Sequence, residues 1–383
     1  MKAVLIGTGK IGRGIIAKSL VNAGCSLTMV DANAKIIDIL RNAGKYTVRS
    51  LDDTTDYTEV VRGYQTAPLP SAEAETAVVE ADIIFVSVGV NNLPSLMQRV
   101  TPYLIRRVEL DRPPVDMIFC ENFVGVSARI GEILRDELGI DPAAFTGKVG
   151  FAGGSVGVVV PPSADPLYLI KGPYEDIHIE EHALITPIRI PHFVPVDNFE
   201  LCIREKLYIY NMAHALTSYL GWLHGYEYVD EAYVAPGILG IVRAAMDAVA
   251  QALAIEYHVP CEKELSEVAD IERRIRNRQI RDTVVRIAED PARKLSFNDR
   301  LVGAYRLTQK HGIPSRAILE GIAAGFLFAE PADKSAMKIQ KYIRQHGVTA
   351  AVKAFTGLKD EVVILHIAGL YRDMKESFEV HQQ

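Results

Sequence analysis

The sequence predicts an α/β protein in two parts: a doubly wound sheet followed by a mainly α-helical C-terminal domain. Short apolar strands alternate with helical segments over residues 1–195, and over residues 196–383 the periodicity becomes almost wholly helical. A glycine-rich turn joins the first strand to the first helix. Strands that alternate with helices indicate a parallel sheet with helices on both faces. With 383 residues, each part is large enough for its own core.

The N-terminal strands are short, apolar and rich in β-branched residues, as is typical of buried parallel strands. We expect strands at residues 2–6, 26–30, 81–88 and 115–120, and helices from the glycine turn to about residue 23 and at 34–43. This order predicts a Rossmann-like sheet.

The pattern changes after about residue 150. Residues 156–160 are apolar and β-branched, and two prolines follow them, so we expect a strand that ends abruptly there. Further prolines at 187, 191 and 195 break up a stretch of short β-like runs. We therefore place the domain boundary between residues 195 and 196.

The C-terminal part has helical periodicity nearly throughout. We expect helices at residues 199–223, 231–257, 262–289, 298–311, 314–329 and 332–345.

Composition excludes several classes of protein. A net charge of −6 leaves no basic excess for a nucleic-acid partner. No uninterrupted apolar run approaches the roughly 18 residues of a membrane span, and no signal-peptide pattern is present, so a cytoplasmic protein without a membrane partner is expected. The four cysteines are far apart and have no metal-ligand spacing, so we expect no metal site. The oligomeric state stays open.

The glycine turn is the candidate cofactor site. Gly7, Gly9 and Gly12 satisfy G-x-G-x-x-G between a strand and a helix, with Lys10 and Ile11 inside the motif. The first glycine permits a tight turn, the second lets the backbone approach a pyrophosphate, and the third lets helix and strand pack closely. The helix N-terminus offers unpaired N–H groups to the phosphates.

Asp31 ends the second strand, 19 residues after Gly12. Its carboxylate accepts hydrogen bonds from a ribose 2′-OH and repels a 2′-phosphate, which favours NAD over NADP. Val88 and Gly89 end a later strand, where they either face the nicotinamide half or form a simple turn.

Lys206, Asn211 and His214 form the candidate catalytic set. In an α-helix, Asn211 lies about 140° and His214 about 80° around the axis from Lys206, so one face presents an amine, an amide and an imidazole. Such a set removes a proton from an alcohol and holds the resulting oxygen. Zinc catalysis instead needs converging ligands, and His214 and His224 are ten residues apart.

Asn122 follows the strand at 115–120 in the segment Cys120-Glu121-Asn122. Ligands bind at the carboxyl ends of parallel strands, so its amide is a candidate donor to a substrate oxygen. The alternative is an asparagine that only serves a turn.

These residues bring a resemblance to the polyol-specific long-chain dehydrogenases, the mannitol dehydrogenase family, and within it to the branch that acts on mannitol 1-phosphate. The resemblance runs over essentially the whole length. It rests on Gly7-x-Gly9-x-Ile-Gly12-Arg-Gly14, Cys120-Glu-Asn122, Val149-Gly-Phe151, Val160-Pro-Pro162, Asp197-Asn198, Lys206-x4-Asn211-x2-His214, Arg293-Lys-Leu-Ser296-x2-Asp299-Arg300, Gly312-Ile-Pro314 and Glu320-Gly-Ile-Ala-Ala324.

The resemblance implies a metal-independent, NAD-linked interconversion of a polyol and a ketose, with mannitol 1-phosphate and fructose 6-phosphate as the expected pair. It implies that Lys206 is the general base and that Asn122, Asn211 and His214 hold and polarise the reacting oxygen. An ordinary lysine is a poor base at neutral pH. We expect desolvation in a cleft between the two domains, and the charge of the nicotinamide, to favour its neutral form.

A phosphorylated substrate needs cationic partners. Arg293, Lys294 and Arg300 form a compact basic set, and the fork of an arginine suits a phosphate; His311 is a further candidate. The alternative is a helix-start network around Ser296-x2-Asp299, which resembles a capping box.

One segment departs from the family pattern. Many members carry an Asp-Arg pair shortly before Val-Pro-Pro, and this chain has Gly157-Val158 there. Two further hypotheses therefore stay open. One is the same chemistry on a free polyol, a sugar acid or another sugar phosphate, and the other is a non-catalytic NAD-binding sensor.

Overall fold

The computed structural model describes residues 1–121 and 125–381. The predicted site residue Asn122 lies outside this described part. The chain forms two compact units, Met1–Ile203 and Arg204–Gln383.

The described residues of the first unit hold the strands β1 (Lys2–Ile6), β2 (Ser26–Asp31), β3 (Lys45–Leu51), β4 (Asp56–Arg62), β5 (Gln65–Pro68), β6 (Ile83–Val86), β7 (Val115–Phe119), β8 (Val149–Val156), β9 (Tyr168–Lys171), β10 (Ile177–Glu180) and β11 (Phe193–Val196). Helices between them are α1 (Lys18–Asn22), α2 (Ala34–Ala43), α3 (Ala72–Glu80), α4 (Leu93–Glu109) and α5 (Val126–Glu132). Two π-helical segments, Gly12–Ala17 and Ile133–Glu137, adjoin α1 and α5.

Eight strands form the main sheet, in the order β11-β10-β8-β7-β6-β1-β2-β5. All neighbouring pairs are parallel except β8 with β10. Alternate residues of β1 face opposite layers of the core, since Ala3 and Leu5 belong to one apolar cluster and Val4 and Ile6 to the other. The predicted doubly wound, Rossmann-like sheet is confirmed, and a small sheet, β4-β3-β9, lies beside it.

The strand expected at residues 156–160 is wrong in its position. Strand β8 ends at Val156, which is the last residue paired with β10. The valines that follow are apolar for another reason: Val158 and Val160 pack against the core cluster that includes Ile15 and Leu169. Burial in a loop produces the same β-branched pattern as burial in a strand.

From residue 199 the described chain is mostly helical. Its helices are α6 (Phe199–Arg204), α7 (Asn211–Leu223), α8 (Val229–Val234), α9 (Pro236–Tyr257), α10 (Cys261–Ile275), α11 (Val284–Ala288), α12 (Pro291–Lys294), α13 (Val302–Lys310), α14 (Arg316–Leu327), α15 (Lys334–Thr356) and α16 (Glu361–His381). A π-helical segment, Glu205–Tyr210, joins α6 to α7. The mainly helical C-terminal prediction is confirmed.

Two predicted helices are interrupted. The helix expected at 262–289 ends at Ile275. It does not resume before Val284, because Arg281 takes a φ of 48°, which no right-handed helix allows, and Thr283 caps the next helix. The helix expected at 231–257 breaks at Ala235, whose extended backbone precedes Pro236.

Helix α9 is long and apolar enough to cross a membrane by length and composition alone. Within its most apolar 18-residue window, 56% is buried inside the structure, and the helix packs against α7, α10, α13 and α14. It is the central helix of the C-terminal unit.

Candidate functional site

The glycine turn has the shape that nucleotide binding requires. Gly7 has a φ of +99°, and a Cβ there would lie 2.2 Å from the backbone oxygen of Ser87. A Cβ on Gly12 would lie 2.2 Å from the oxygen of Gly7, whereas one on Gly9 would meet nothing within 4 Å. Gly7 and Gly12 therefore permit close backbone contacts, and Gly9 leaves the turn open to an approaching ligand.

The helix after the turn begins at the predicted residues. Lys10 and Ile11 are half-buried in its first turn, and the π-helical segment Gly12–Ala17 follows directly. Single turns of π-helix inside α-helices are frequent at functional sites.

Asp31 is held by the same turn. One carboxylate oxygen accepts the Thr8 N–H at 2.6 Å and the Thr8 hydroxyl at 2.8 Å, and the other accepts the Asn33 N–H at 2.8 Å. A cavity of about 550 Å³ opens beside it, lined by Gly7, Gly9, Asp31, Val88 and neighbouring residues. The carboxylate oxygen that accepts the Asn33 N–H can also accept a hydrogen bond from a ligand hydroxyl, because a carboxylate oxygen has two lone pairs.

Sequence reasoning missed Glu121, which fixes the turn at Val88 and Gly89. Its buried carboxylate accepts the N–H groups of both residues at 2.9 Å. Gly89 takes a φ of +88°, so this turn requires a glycine. The sequence did point to this residue, because Glu121 lies inside the Cys-Glu-Asn segment at the end of a predicted strand.

Lys206, Asn211 and His214 lie on one continuous helical run. Lys206 is half-buried in the π segment, and Asn211 is the first residue of α7. The α-helical angles predicted from Lys206 are therefore wrong, because a π-helix turns less per residue than an α-helix. The three residues remain within three consecutive turns.

His214 is buried, with 8% of its surface exposed. Burial lowers its pKa to about 4, so the imidazole is neutral at neutral pH. Its Nδ1 lies 3.0 Å from the carbonyl oxygen of Tyr210, which only accepts, so Nδ1 carries the proton. In that tautomer Nε2 is a hydrogen-bond acceptor.

The charged side chains that act on the pKa of His214 include a pair that sequence reasoning missed. Asp282, Arg286 and Arg300 all act on its pKa, the first raising it and the two arginines lowering it. Arg286 donates its Nε–H to Asp282 at 2.5 Å, and a second guanidinium nitrogen contacts the other carboxylate oxygen. The i, i+4 spacing of an aspartate and an arginine at the start of α11 was the available signal.

The predicted basic set divides into two kinds of residue. Arg293 and Arg300 share Asp299, at 3.2 Å and 2.7 Å, and Arg293 also pairs with Asp290 at 2.9 Å. The ammonium of Lys294 instead donates to two backbone carbonyls, those of Ile287 and Glu289. Burial, with the charges of the two arginines, lowers the pKa of Lys294 to about 7.

His311 belongs to a different cluster. Its Nε2 lies 2.7 Å from Glu256, which also pairs with Lys310 at 2.6 Å and approaches Arg204 at 3.9 Å. The structure therefore does not place His311 with the arginines at Asp299. Within residues 1–121 and 125–381, no group of three or more His, Cys, Asp or Glu side chains is arranged around a metal position.

Comparison with known proteins assigns both units. Residues 1–191 match the family model of the mannitol dehydrogenase Rossmann domain, and residues 196–383 match that of the mannitol dehydrogenase C-terminal domain. The chain belongs to the mannitol dehydrogenase family. It is therefore an oxidoreductase, and the predicted family resemblance is confirmed.

Two relatives of this mannitol dehydrogenase family member carry the name mannitol-1-phosphate 5-dehydrogenase. The protein of Thermoanaerobacter pseudethanolicus is 33% identical over 387 aligned positions and covers 99% of each chain. That of Caldanaerobacter subterraneus subsp. tengcongensis is 33% identical and covers 94% of this chain and 95% of its own.

Solved structures show the same fold at lower identity. Pseudomonas fluorescens mannitol 2-dehydrogenase, in ternary complex with NAD and D-mannitol, has a TM-score of 0.79 at 17% identity, covering 99% of this chain and 92% of that one. A substrate-free D-sorbitol dehydrogenase has a TM-score of 0.78 at 16% identity, covering 99% and 94%.

Proposed function

We propose that this dehydrogenase interconverts mannitol 1-phosphate and fructose 6-phosphate, with NAD as the cofactor. The observation that carries the proposal is the 33% identity, over 99% of both chains, to a relative named mannitol-1-phosphate 5-dehydrogenase. The glycine turn and the helical run from Lys206 to His214 carry the residue types that this reaction needs, which supports the proposal.

The glycine turn fits a dinucleotide. Gly9 leaves open space where a phosphate approaches the backbone, and Asp31 lines the adjacent cavity with an oxygen available to a ribose hydroxyl. A carboxylate here disfavours a 2′-phosphate, which supports NAD over NADP. When bound, NAD accepts the hydride that leaves the alcohol carbon.

Lys206 is the proposed general base. As a neutral amine it takes the hydroxyl proton while the carbon is oxidised, and in the reverse direction it returns that proton to the oxygen of the reduced ketone. Asn211 and Asn122 are the proposed donors to the developing alkoxide. The neutral tautomer of His214 supports a role as acceptor for a substrate hydroxyl.

The proposed partners of the substrate phosphate are Arg293 and Arg300. Both lie against the carboxylate of Asp299, and Arg293 also pairs with Asp290. The planar fork of a guanidinium donates two hydrogen bonds to a phosphate at once, which supports this role for the two arginines. Lys294 is a weaker candidate, because its ammonium already donates to two carbonyls.

A second candidate function is the same reaction on a different polyol. It is favoured by the segment Gly157-Val158, where many family members have an Asp-Arg pair. Val158 packs against the apolar core instead of offering a charge. A substrate that uses fewer polar contacts at that position would suit this chain.

A substrate panel tests the two candidates. Mannitol 1-phosphate, fructose 6-phosphate, mannitol, fructose and hexuronates are compared with NAD and NADP at neutral and alkaline pH. We expect activity on the phosphorylated pair, and a KM for fructose 6-phosphate that rises about tenfold or more in Arg300→Met, as loss of a charged hydrogen bond implies. Preferred turnover of an unphosphorylated polyol would replace the first proposal with the second. A cytoplasmic location stays a prediction.

A further inference from the structure

Arg13 is a buried cation in the π-helical segment that follows the glycine turn. Only 5% of its surface is exposed. Within the described chain, its guanidinium donates to two backbone carbonyls, that of Thr8 at 2.7 Å from Nε and that of Pro166. Burial lowers the pKa of Arg13, with Tyr46 and Asp31 acting in the opposite direction. An arginine keeps its charge even so, and a charge removed from water at this cost is expected to have a role.

The side chain is fixed from several directions. The Tyr46 hydroxyl donates to the carbonyl oxygen of Arg13 at 2.8 Å, and the guanidinium lies 6.0 Å from the centre of that tyrosine ring. Thr8, whose carbonyl Arg13 holds, donates its own N–H to Asp31. The peptide planes before and after Thr8 are therefore each held by a side chain, the first by Asp31 and the second by Arg13.

The hydrogen bond from Arg13 to the Thr8 carbonyl also sets the direction of the Gly9 N–H. In a trans peptide the carbonyl of one residue and the N–H of the next point in opposite directions. Because Arg13 donates to the Thr8 carbonyl, that oxygen faces the guanidinium and the Gly9 N–H points away from it. A Cβ added at Gly9 would meet no atom within 4 Å, so a ligand can come close to the backbone at this residue. A charge-assisted hydrogen bond to a carbonyl also polarises the whole peptide group and strengthens its N–H as a donor.

We propose that Arg13 is a positioning residue that orients and polarises the Thr8–Gly9 peptide, so that the Gly9 N–H donates to the cofactor pyrophosphate. The inference rests on the proposed use of NAD. It assigns Arg13 to the phosphates and leaves recognition of the adenosine to Asp31.

Competition against NADH fluorescence, with ADP-ribose and adenosine as the competing ligands, tests the proposal. In Arg13→Met we expect the Kd for ADP-ribose to rise about tenfold, which corresponds to about 1.4 kcal/mol, and the Kd for adenosine to change less than twofold. In amide NMR spectra, we expect the shift of the Gly9 N–H on ADP-ribose binding to shrink in the variant. If the variant does not fold, Arg13→Gln, which is also uncharged but keeps one donor group, takes its place.

Arg107→Met is the matched control. Arg107 is 3% exposed in the same unit, and it likewise donates to backbone carbonyls, those of Val79 and Pro113 among them. The Arg107→Met variant is expected to be less stable than the wild type but to bind ADP-ribose with the same affinity. Equal weakening of both ligands in the Arg13 variants, or of neither, overturns the proposal. A wild-type protein that binds no NADH would instead overturn the proposed function.

Discussion

The Nδ1–H of His214 donates to the backbone carbonyl of Tyr210, one helical turn earlier, at 3.0 Å. The Tyr210 ring also lies edge-on to the imidazole, with 4.4 Å between the ring centres. These two contacts fix both the tautomer and the orientation of the ring. His214 is therefore presented as an acceptor rather than as a proton donor.

The first prediction concerns the acceptor at Nε2. His214→Gln keeps an acceptor oxygen at a similar reach, whereas His214→Leu removes it. We expect kcat/KM to fall about tenfold to a hundredfold in the leucine variant, the effect of one lost hydrogen bond to the substrate, and much less in the glutamine variant. Because the pKa of His214 is lowered to about 4, the wild type and His214→Gln are expected to share the same pH profile between pH 5.5 and 8. An acidic limb that disappears in His214→Gln would contradict this.

The second prediction concerns the base. Lys206→Ala is expected to lower kcat by roughly a hundredfold to ten-thousandfold, the range typical of lost general-base catalysis, while NADH still binds. Stopped-flow turnover and NADH fluorescence measure the two effects separately. Lys341→Ala, at an exposed lysine of α15, is the control and is expected to behave like the wild type. Near-normal turnover in Lys206→Ala would show that another group is the base.

The third prediction concerns cofactor choice. Asp31→Asn keeps an oxygen acceptor near the backbone N–H groups of Thr8 and Asn33 but removes the negative charge. We expect the ratio of kcat/KM for NAD over NADP to fall about tenfold to a hundredfold. Asp38→Asn, an exposed carboxylate on α2, serves as the control. An unchanged ratio would assign the discrimination to a different residue.

The fourth prediction concerns stability and pH. Glu264 on α10 is fully buried, its Oε1 lies 3.3 Å from the Nζ of Lys263, and burial together with the charge of Glu205 raises its pKa to about 7. A raised folded-state pKa means that the folded protein holds a proton that the unfolded chain releases, so stability is lost as pH rises from about 4.5 to about 7.

Urea unfolding at pH 5 and pH 7.5 measures this loss, which we expect to reach roughly 2 kcal/mol in the wild type. Glu264→Gln has no titrating carboxyl and is expected to show a smaller difference between the two pH values. Glu262→Gln, at an exposed position of the same helix, is expected to keep the wild-type difference. The assignment fails if Glu264→Gln and the wild type lose equal stability.

Local sequence signals located the nucleotide half of the fold well. The strands at 2–6 and 26–31, the turn between Gly7 and Gly12, and helix α2 are all determined by neighbouring residues, and each lies where it was predicted. Asp31 follows from the same short-range logic, since a strand end and a glycine turn place it beside the cavity.

Features set by distant partners or by small changes of helical pitch were not predictable. The small sheet joins β3 to β9, whose residues are about 120 positions apart, and no local pattern indicates that pairing. The π segment around Lys206 has the apolar periodicity of an α-helix, so the sequence did not reveal it. The bonds from the Val88 and Gly89 N–H groups to Glu121 also join residues more than thirty positions apart, so the presence of Glu121 in a motif did not reveal which groups it holds.

The pairing of β9 with β3 has a consequence for biosynthesis. Strand β3 is completed early in translation, but its parallel neighbour and the Pro166 carbonyl that holds Arg13 leave the ribosome more than a hundred residues later. The nascent chain must therefore carry a half-covered hairpin during that interval, which is the kind of exposed edge that chaperones recognise. A chain truncated before residue 166 would contain the whole glycine motif and still lack the carbonyl of Pro166, which accepts a hydrogen bond from Arg13.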